Sequence, residues 1–297
     1  MSSGPVEPVE TSAGPRFCFR HGDRETYISC QCCRRPICPD CMRPASVGFH
    51  CPVCVAEAAK TVRQPRTMAG GLVPDKVGVL SWVIVGINVV LFLAAQATDE
   101  LGQSWAVNQL AMLGDSAMIR GTGDSVVGVA DGGYWRLLSA VFLHERIVHI
   151  LFNMYALVIF GPMLEGALGR VRFLALYLTA GLAGSVLVYC LTAPNALTLG
   201  ASGAIYGLFG ATFAVFARRG LPLQGLLVLM GINIALTLLV PNISWQGHLG
   251  GLLAGVFLGW ALAYAPRSRR TLVQASAFVA VYAVMAVAVV ARTAQLA

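Results

Sequence analysis

Residues 173–217 read FLALYLTAGLAGSVLVYCLTAPNALTLGASGAIYGLFGATFAVFA, an uncharged stretch of 45 residues. A helix needs only about 20 residues to cross the hydrocarbon core of a bilayer, so the stretch is long enough for two spans. The turn-forming sequence TAPN at 192–195 supplies the break between them. The second span would begin at the motif GASG of residues 200–203, which places Ser202 at the end of a membrane helix.

Further uncharged runs occupy 77–98, 147–164, 220–266 and 271–291. The run at 220–266 has 47 residues and is broken by proline and asparagine at 241–242, so it also holds two spans. The chain is 57% hydrophobic and 12% charged, which is too apolar for an ordinary soluble domain. We therefore predict an all-α polytopic membrane protein with seven transmembrane helices.

Positive charge follows a regular pattern along these spans. Arginine and lysine occupy every second connection, whereas the long connection at 99–133 is acidic. Because positive residues collect in cytoplasmic loops, we predict a cytoplasmic N-terminus and an external C-terminus in the cell (plasma) membrane. The formal net charge of +7 has the same origin, and we expect no nucleic acid among the partners.

The composition divides the chain into five segments. The first residues are rich in Pro, Gly, Ser and Glu and contain no apolar stretch, which predicts a disordered tail that stays in the cytoplasm. The basic linker would lie against the inner leaflet of the bilayer. The predicted segments are a tail at 1–16, a zinc-binding module at 17–55, the basic linker at 56–76, a six-helix core at 77–265, and a seventh transmembrane helix with the C-terminus at 266–297.

Eight of the nine cysteines lie between Cys18 and Cys54. Four pairs of ligand residues there have two residues between their members: Cys18 and His21, Cys30 and Cys33, Cys38 and Cys41, Cys51 and Cys54. Four such pairs can hold two tetrahedral zinc ions, and sites closed by four protein ligands are structural rather than catalytic. Cys32 and His50 adjoin these ligands and could replace them. A disulfide-stapled module is the alternative, which a reducing cytoplasm disfavours.

The spacing of these pairs resembles a B-box or related cross-braced zinc finger. The resemblance implies that the first and third pairs share one ion, while the second and fourth pairs share the other. Such a module would serve the folding of the segment or the docking of a cytoplasmic protein partner.

Ser202 and His248 are predicted to lie at the same depth in the membrane. Their spans both begin at the external side, so each residue would lie within the first turn or two, roughly 5–10 Å below the surface. Small residues recur at intervals of four in both helices, at Gly203, Gly207 and Ala211, and at Gly247, Gly251, Gly255 and Gly259. Such stripes let helices pack closely, which would bring the hydroxyl and the imidazole within hydrogen-bond range.

His149 and Asn153 lie one helical turn apart near the external end of the second span. Polar groups inside a membrane are costly unless they have partners, so this pair indicates a functional site. A serine, a histidine base and further hydrogen-bond donors at one depth are the groups that acyl transfer requires.

Several motifs together resemble the rhomboid intramembrane proteases over residues 78 to about 265. They are Tyr134-Trp135-Arg136, His149-x-x-x-Asn153, Glu165 with Gly169, Gly200-Ala201-Ser202-Gly203 with Tyr206, and His248 with Gly251 and Gly255. The resemblance implies an endopeptidase that cleaves single-span membrane proteins in the bilayer near its external face. The seventh span would make this the variant with one added C-terminal helix.

The same resemblance implies roles for individual residues. Ser202 would be the nucleophile and His248 the general base, with no acidic third member and no cofactor in catalysis. The Ser202 amide, His149 and Asn153 would form the oxyanion hole. Tyr206 would pack against His248 and hold its ring. The remaining residues would be structural: Gly200, Gly203, Gly251, Trp135, Arg136 and Glu165.

Two alternatives stay open on the residues alone. Small and polar residues also join membrane helices without any catalytic role. A catalytically inactive rhomboid-like protein that binds membrane-protein clients is the other alternative, although the intact Ser202 and His248 favour a protease. A zinc metalloprotease is disfavoured, because His144 and His149 are five residues apart, about 140° around a helix, whereas helical zinc ligands need a spacing of four.

Overall fold

The computed structural model describes residues 16–61, 65–97, 105–118, 125–241 and 243–297. These residues belong to two compact units, which are divided in the sequence between Gln64 and Pro65. The tail predicted at 1–16 lies outside the described residues except for Arg16.

The first unit consists of short strands and turns around buried thiols. Its elements are β1 (Arg16–Phe17), β2 (Glu25–Thr26), a 3-10 turn (Pro39–Cys41), β3 (Arg43–Pro44), β4 (Phe49–His50) and α1 (Pro52–Thr61). β1 pairs with β2 and β3 pairs with β4, both in antiparallel fashion. The buried core is made of cysteines and a single aliphatic residue, Ile37. So small an apolar core supplies little folding free energy, and such modules depend on what their thiols bind.

The second unit is almost entirely helical. Its elements are α2 (Val79–Ala97), α3 (Trp105–Leu110), β5 (Ala117–Met118), β6 (Ser125–Val126), α4 (Arg136–Ser139), α5 (Ile147–Leu168), α6 (Arg170–Leu191), α7 (Ser202–Arg219), α8 (Gln224–Leu239), α9 (Trp245–Tyr264) and α10 (Arg270–Leu296). The long helices coincide with the predicted uncharged runs. The predicted break in residues 173–217 is present, since α6 ends at Leu191 and α7 begins at Ser202.

Five of the long helices, α2, α5, α6, α9 and α10, are long and apolar enough to cross a membrane. α8 is apolar but has only 16 residues. α7 has 18 residues, many of them glycine or alanine, and ends in two arginines. The prediction of an all-α polytopic membrane protein is confirmed, while the count of seven spans stays a prediction.

α7 and α9 approach each other backbone to backbone. A Cβ atom added to Gly251 would overlap the carbonyl oxygen of Gly203, and one added to Gly255 would overlap that of Gly207. The two glycine stripes identified in the sequence therefore face each other, as expected for closely packed membrane helices. Since Gly203 directly follows Ser202, this contact places the serine end of α7 against the first turns of α9.

The segment between α2 and α5 is organised by Arg136. Its guanidinium donates to the carbonyl oxygens of Val127 at 2.6 Å, Ala111 at 2.7 Å and Asn108 at 2.9 Å. The side chain is fully buried. A planar group with five N–H donors can satisfy several carbonyls at once, so Arg136 acts as a brace between distant parts of this segment.

Glu165 performs a similar task near the end of α5. Its carboxylate accepts from the backbone N–H of Ser81 at 3.2 Å, from the Ser81 hydroxyl at 3.1 Å and from Arg170 Nε at 3.4 Å. The buried carboxylate thus caps the first turn of α2 and joins it to the start of α6.

Candidate active site

His248 lies in the first turn of α9 and is buried between α7 and α8. Its ring stacks on Tyr206 of α7, with the ring centroids 4.0 Å apart and 13° between the ring planes. Its Nδ1 atom lies 2.8 Å from Thr237 Oγ1 of α8, and the Tyr206 hydroxyl lies 2.8 Å from the same oxygen. Two neighbouring helices therefore hold the ring, and Nε2 is the nitrogen that they leave for another partner.

Ser202 is the first residue of α7 and is half-buried. Gly200 just before it has φ 134°, in the region that favours glycine. A Cβ atom at Gly200 would lie 2.7 Å from His149 Nε2 and 3.7 Å from Ser202 Oγ. The missing side chain at Gly200 therefore lets the His149 imidazole of α5 reach the serine end of α7.

The structure brings Ser202 and His248 to the same contact between α7 and α9. A Cβ atom on Gly203 would lie 3.1 Å from the carbonyl oxygen of Gly247, so the residues next to the serine and the histidine touch. No hydrogen bond joins Ser202 to His248 among the described residues. Catalytic hydrogen bonds are often long in enzymes without substrate and tighten in the complex.

Asn153 is buried in α5, and its Nδ2 atom lies 3.1 Å from His144 Nε2. His144 is fully buried and meets His149 edge to face, with ring centroids 5.0 Å apart. A primary amide carries two N–H donors, and the contact with His144 uses only one of them. This contact could not be predicted from the sequence, in which His144 is only a possible metal ligand, because no helical spacing links His144 to Asn153.

The predicted metal ligands of the first unit fall into two groups of four. The groups are Cys18, His21, Cys38 and Cys41, and Cys30, Cys33, Cys51 and Cys54. Within each group the ligand atoms all lie within 4.8 Å of one another. Three thiolates with one imidazole, or four thiolates, are donor sets that fit tetrahedral zinc. Cys32 and His50 belong to neither group, and all nine cysteines are free of disulfides.

The fold and the site define an integral membrane protein with a helical bundle that gathers a serine, three histidines and an amide side chain. Residues 131–265 of the chain match the family model of the Rhomboid domain. Over 139 residues the chain is 36% identical to Putative rhomboid protease YdcA of Bacillus subtilis (strain 168), a match that covers 45% of this chain and 70% of that protein. The chain belongs to the rhomboid family, and rhomboid proteases are intramembrane serine proteases.

Two further relatives match over a similar length of the chain. The chain is 36% identical over 148 residues to RHOMBOID-like protein 5 of Arabidopsis thaliana, covering 47% of each protein. It is 39% identical over 140 residues to Rhomboid protease GluP of Bacillus subtilis (strain 168), covering 45% of this chain and 27% of that protein. The match thus covers less than half the length of these two relatives. The cysteine-rich unit lies outside the Rhomboid domain match.

Proposed function

We propose that this protein is an intramembrane serine endopeptidase in which Ser202 and His248 form the catalytic dyad. The observation that carries the proposal is the close contact of α7 with α9, which sets the GASG motif of residues 200–203 against a histidine stacked on Tyr206. Family membership supports the same reaction class.

In the proposed reaction the Ser202 hydroxyl attacks the carbonyl carbon of the scissile peptide bond. Its proton passes to His248 Nε2, the nitrogen that does not contact Thr237. The negative charge on the carbonyl oxygen would be stabilised by the Ser202 backbone N–H and by the His149 and Asn153 side chains. His248 then gives its proton to the leaving amine, and a water molecule releases the acyl group by the same route.

The proposed substrates are single-span membrane proteins that are cut near the external face. A helix in the bilayer satisfies its backbone hydrogen bonds internally, and a peptide must give these up before it can reach Ser202. Substrates with glycine, proline or polar residues near the cleavage site should therefore be preferred. We propose the plasma membrane as the location, with a cytoplasmic N-terminus and an external C-terminus.

Purified protein in detergent provides the test, with a model transmembrane substrate and a fluorophosphonate probe. Ser202→Ala should abolish probe labelling and lower the cleavage rate by on the order of 10³-fold or more. Ser185→Ala is a matched control, since Ser185 is also a half-buried helical serine. Labelling that persists in Ser202→Ala would contradict the assignment of Ser202 as the nucleophile. Wild-type protein that binds several substrates without cleaving them would point to the inactive client-binding alternative.

For the first unit we propose two structural zinc ions, one for each group of four ligands. Zinc would hold together segments that bury little apolar surface, and all four positions of each ion would be filled by protein ligands. The module would therefore serve folding or the docking of a cytoplasmic protein partner, while catalysis would need no metal.

A further inference from the structure

Thr237 of α8 lies where three polar groups meet. Its Oγ1 atom is 2.8 Å from the carbonyl oxygen of Asn233, 2.8 Å from the Tyr206 hydroxyl and 2.8 Å from His248 Nδ1. The residue is buried in a helix that otherwise buries only Leu226 among its described residues. A polar side chain buried at this depth with three partners is costly to replace by an apolar one.

The chemistry of a hydroxyl decides the direction of these three hydrogen bonds. A threonine hydroxyl has one hydrogen to donate and two lone pairs that accept. The Asn233 carbonyl oxygen can only accept, so the threonine hydrogen is used there. The other two contacts must then be donated to Oγ1, by the Tyr206 O–H and by an N–H at His248 Nδ1.

We propose that Thr237 is a positioning residue that holds neutral His248 with its hydrogen on Nδ1 and a free lone pair on Nε2. This inference rests on the proposed function, in which Nε2 takes the proton of Ser202. Once Nε2 has taken that proton, Nδ1 still carries its own hydrogen and still donates to Thr237, so no contact breaks. The threonine would replace the acid that orients the histidine in Ser-His-Asp triads.

The kinetic test compares Thr237→Val, which keeps the shape and removes the hydroxyl, with Thr237→Ser, which keeps the hydroxyl. Thr237→Val should lower kcat by about 10- to 100-fold, with KM changed by less than about threefold. Thr237→Ser should stay within about threefold of the wild type. Thr212→Val is the matched control, since Thr212 is buried in α7 and its hydroxyl donates to the Leu208 carbonyl oxygen of its own helix.

A spectroscopic test does not depend on activity. NMR of protein with ¹³C- and ¹⁵N-labelled histidine reports which nitrogen carries the hydrogen, and His248→Gln assigns the signal of His248. In the wild type the His248 hydrogen should be on Nδ1. In Thr237→Val the tautomer of His248 should shift towards the form with hydrogen on Nε2, which free neutral histidine prefers. Hydrogen on Nε2 in the wild type, or an unchanged tautomer in Thr237→Val, would overturn the proposal. If the wild type neither cleaves nor is labelled, the proposed function fails, while this measurement still decides the role of Thr237.

Three arginine side chains converge on the turn at Gly70 and Gly71. A Cβ atom on Gly70 would lie 2.6 Å from Arg270 Nη1, and one on Gly71 would lie 3.2 Å from Arg172 Nη1. Arg66 Nη1 donates to the Gly70 carbonyl oxygen at 3.1 Å. The three guanidinium groups thus come from the turn, from the first turn of α6 and from the first residue of α10.

These three charges have no carboxylate partner among the described residues, whose ion pairs are Arg24 with Asp40 and Arg170 with Glu165. Arg172 is held by Gln274 Oε1 at 2.8 Å. The buried Nε of Arg270 has no hydrogen-bond partner in the described part of the chain.

Guanidinium forks suit phosphate oxygens, and the helix N-termini of α6 and α10 add positive potential. We infer that the cluster binds a phosphate group, supplied by an anionic phospholipid at the polar end of the helices.

The test reconstitutes the full-length protein with phosphatidylcholine and phosphatidylglycerol and counts retained lipids by native mass spectrometry. Arg270→Gln should reduce retained phosphatidylglycerol by about fivefold, whereas the exposed neighbour in Arg269→Gln should have no effect. Equal retention of phosphatidylglycerol by the wild type and Arg270→Gln would overturn the proposed phosphate site. Displacement of the lipid by millimolar inorganic phosphate would assign the site to a soluble anion and overturn the lipid source.

Discussion

At the scale of single residues, Gly251 has the least room for a side chain among the glycines that the structure describes. A Cβ atom there would overlap the Gly203 carbonyl oxygen, whereas one on Gly247, a helical turn earlier, would meet its nearest neighbours at 3.5 Å. We expect Gly251→Ala to lower the free energy of unfolding by about 1–3 kcal/mol because it forces α7 and α9 apart. Thermal unfolding in detergent measures the change.

Gly247→Ala is the control for this prediction, because it also replaces a glycine of α9 by alanine. Alanine is favoured over glycine by about 1 kcal/mol in a helix, so Gly247→Ala should be as stable as the wild type or more so. If the two variants have equal stability, the close contact of Gly251 with Gly203 does not hold α7 against α9.

The glycine stripes could be predicted from the sequence because their spacing of four is a property of one helix at a time. The contacts of Thr237 and His144 could not. Thr237 is one of three polar residues in the apolar helix α8, and its partners Tyr206 and His248 lie on two other helices. Only the relative rotation of the three helices brings these side chains together, and no local pattern encodes that rotation.

At the scale of elements, the segment between α2 and α5 depends on Arg136. Arg136→Ala would remove three hydrogen bonds to buried or half-buried carbonyl groups, so we expect the free energy of unfolding to fall by about 2–3 kcal/mol. Amide hydrogens of residues 105–118 and 125–139 should exchange faster in hydrogen exchange measured by mass spectrometry. Arg136→Lys should resemble Arg136→Ala, since an ammonium lacks the planar fork.

Arg146→Ala serves as the control for the charge itself, because Arg146 is exposed just before α5. Exchange in 105–118 and 125–139 should remain at the wild-type level in this variant. If Arg136→Ala also leaves exchange unchanged, other contacts hold the segment and Arg136 is not its brace.

α7 and α8 differ in how much of each helix is buried inside the protein. α7 is buried along most of its length, whereas α8 buries only Leu226 and Thr237 among its described residues. Local opening costs least where few apolar contacts are lost, so backbone amides of α8 should exchange at least about tenfold faster than those of α7. Hydrogen exchange in lipid nanodiscs measures both helices in one experiment, and slower exchange in α8 would contradict the prediction.

At the scale of the whole molecule, hydropathy alone located the long helices. Each uncharged run of about 20 residues became one helix, and each run of 45 or 47 residues became two. The division into a cysteine-rich unit and a helical unit follows from composition in the same way. Hydropathy cannot decide whether α7 and α8 cross the membrane completely, because α7 is buried in the bundle and α8 is short.

The presence of two units leads to a prediction about metal. If each group of four ligands holds one zinc ion, elemental analysis of the full chain should find two zinc ions per chain. Cys30→Ser should lower the count to about one, because it removes one thiolate from a four-ligand site. Cys32→Ser is the matched control, since Cys32 is an exposed neighbour that belongs to neither group, and it should keep both ions.

Removal of zinc with a strong chelator should then unfold the cysteine-rich unit, whose buried core is almost entirely thiol. Limited proteolysis should cut within residues 16–61 of the chelated protein, while residues 125–241 and 243–297 stay resistant. Fluorophosphonate labelling of Ser202 should persist, because the proposed dyad contains no metal ligand. Loss of labelling on chelation, reversed by added zinc, would contradict this independence and show that the cysteine-rich unit acts on the membrane unit.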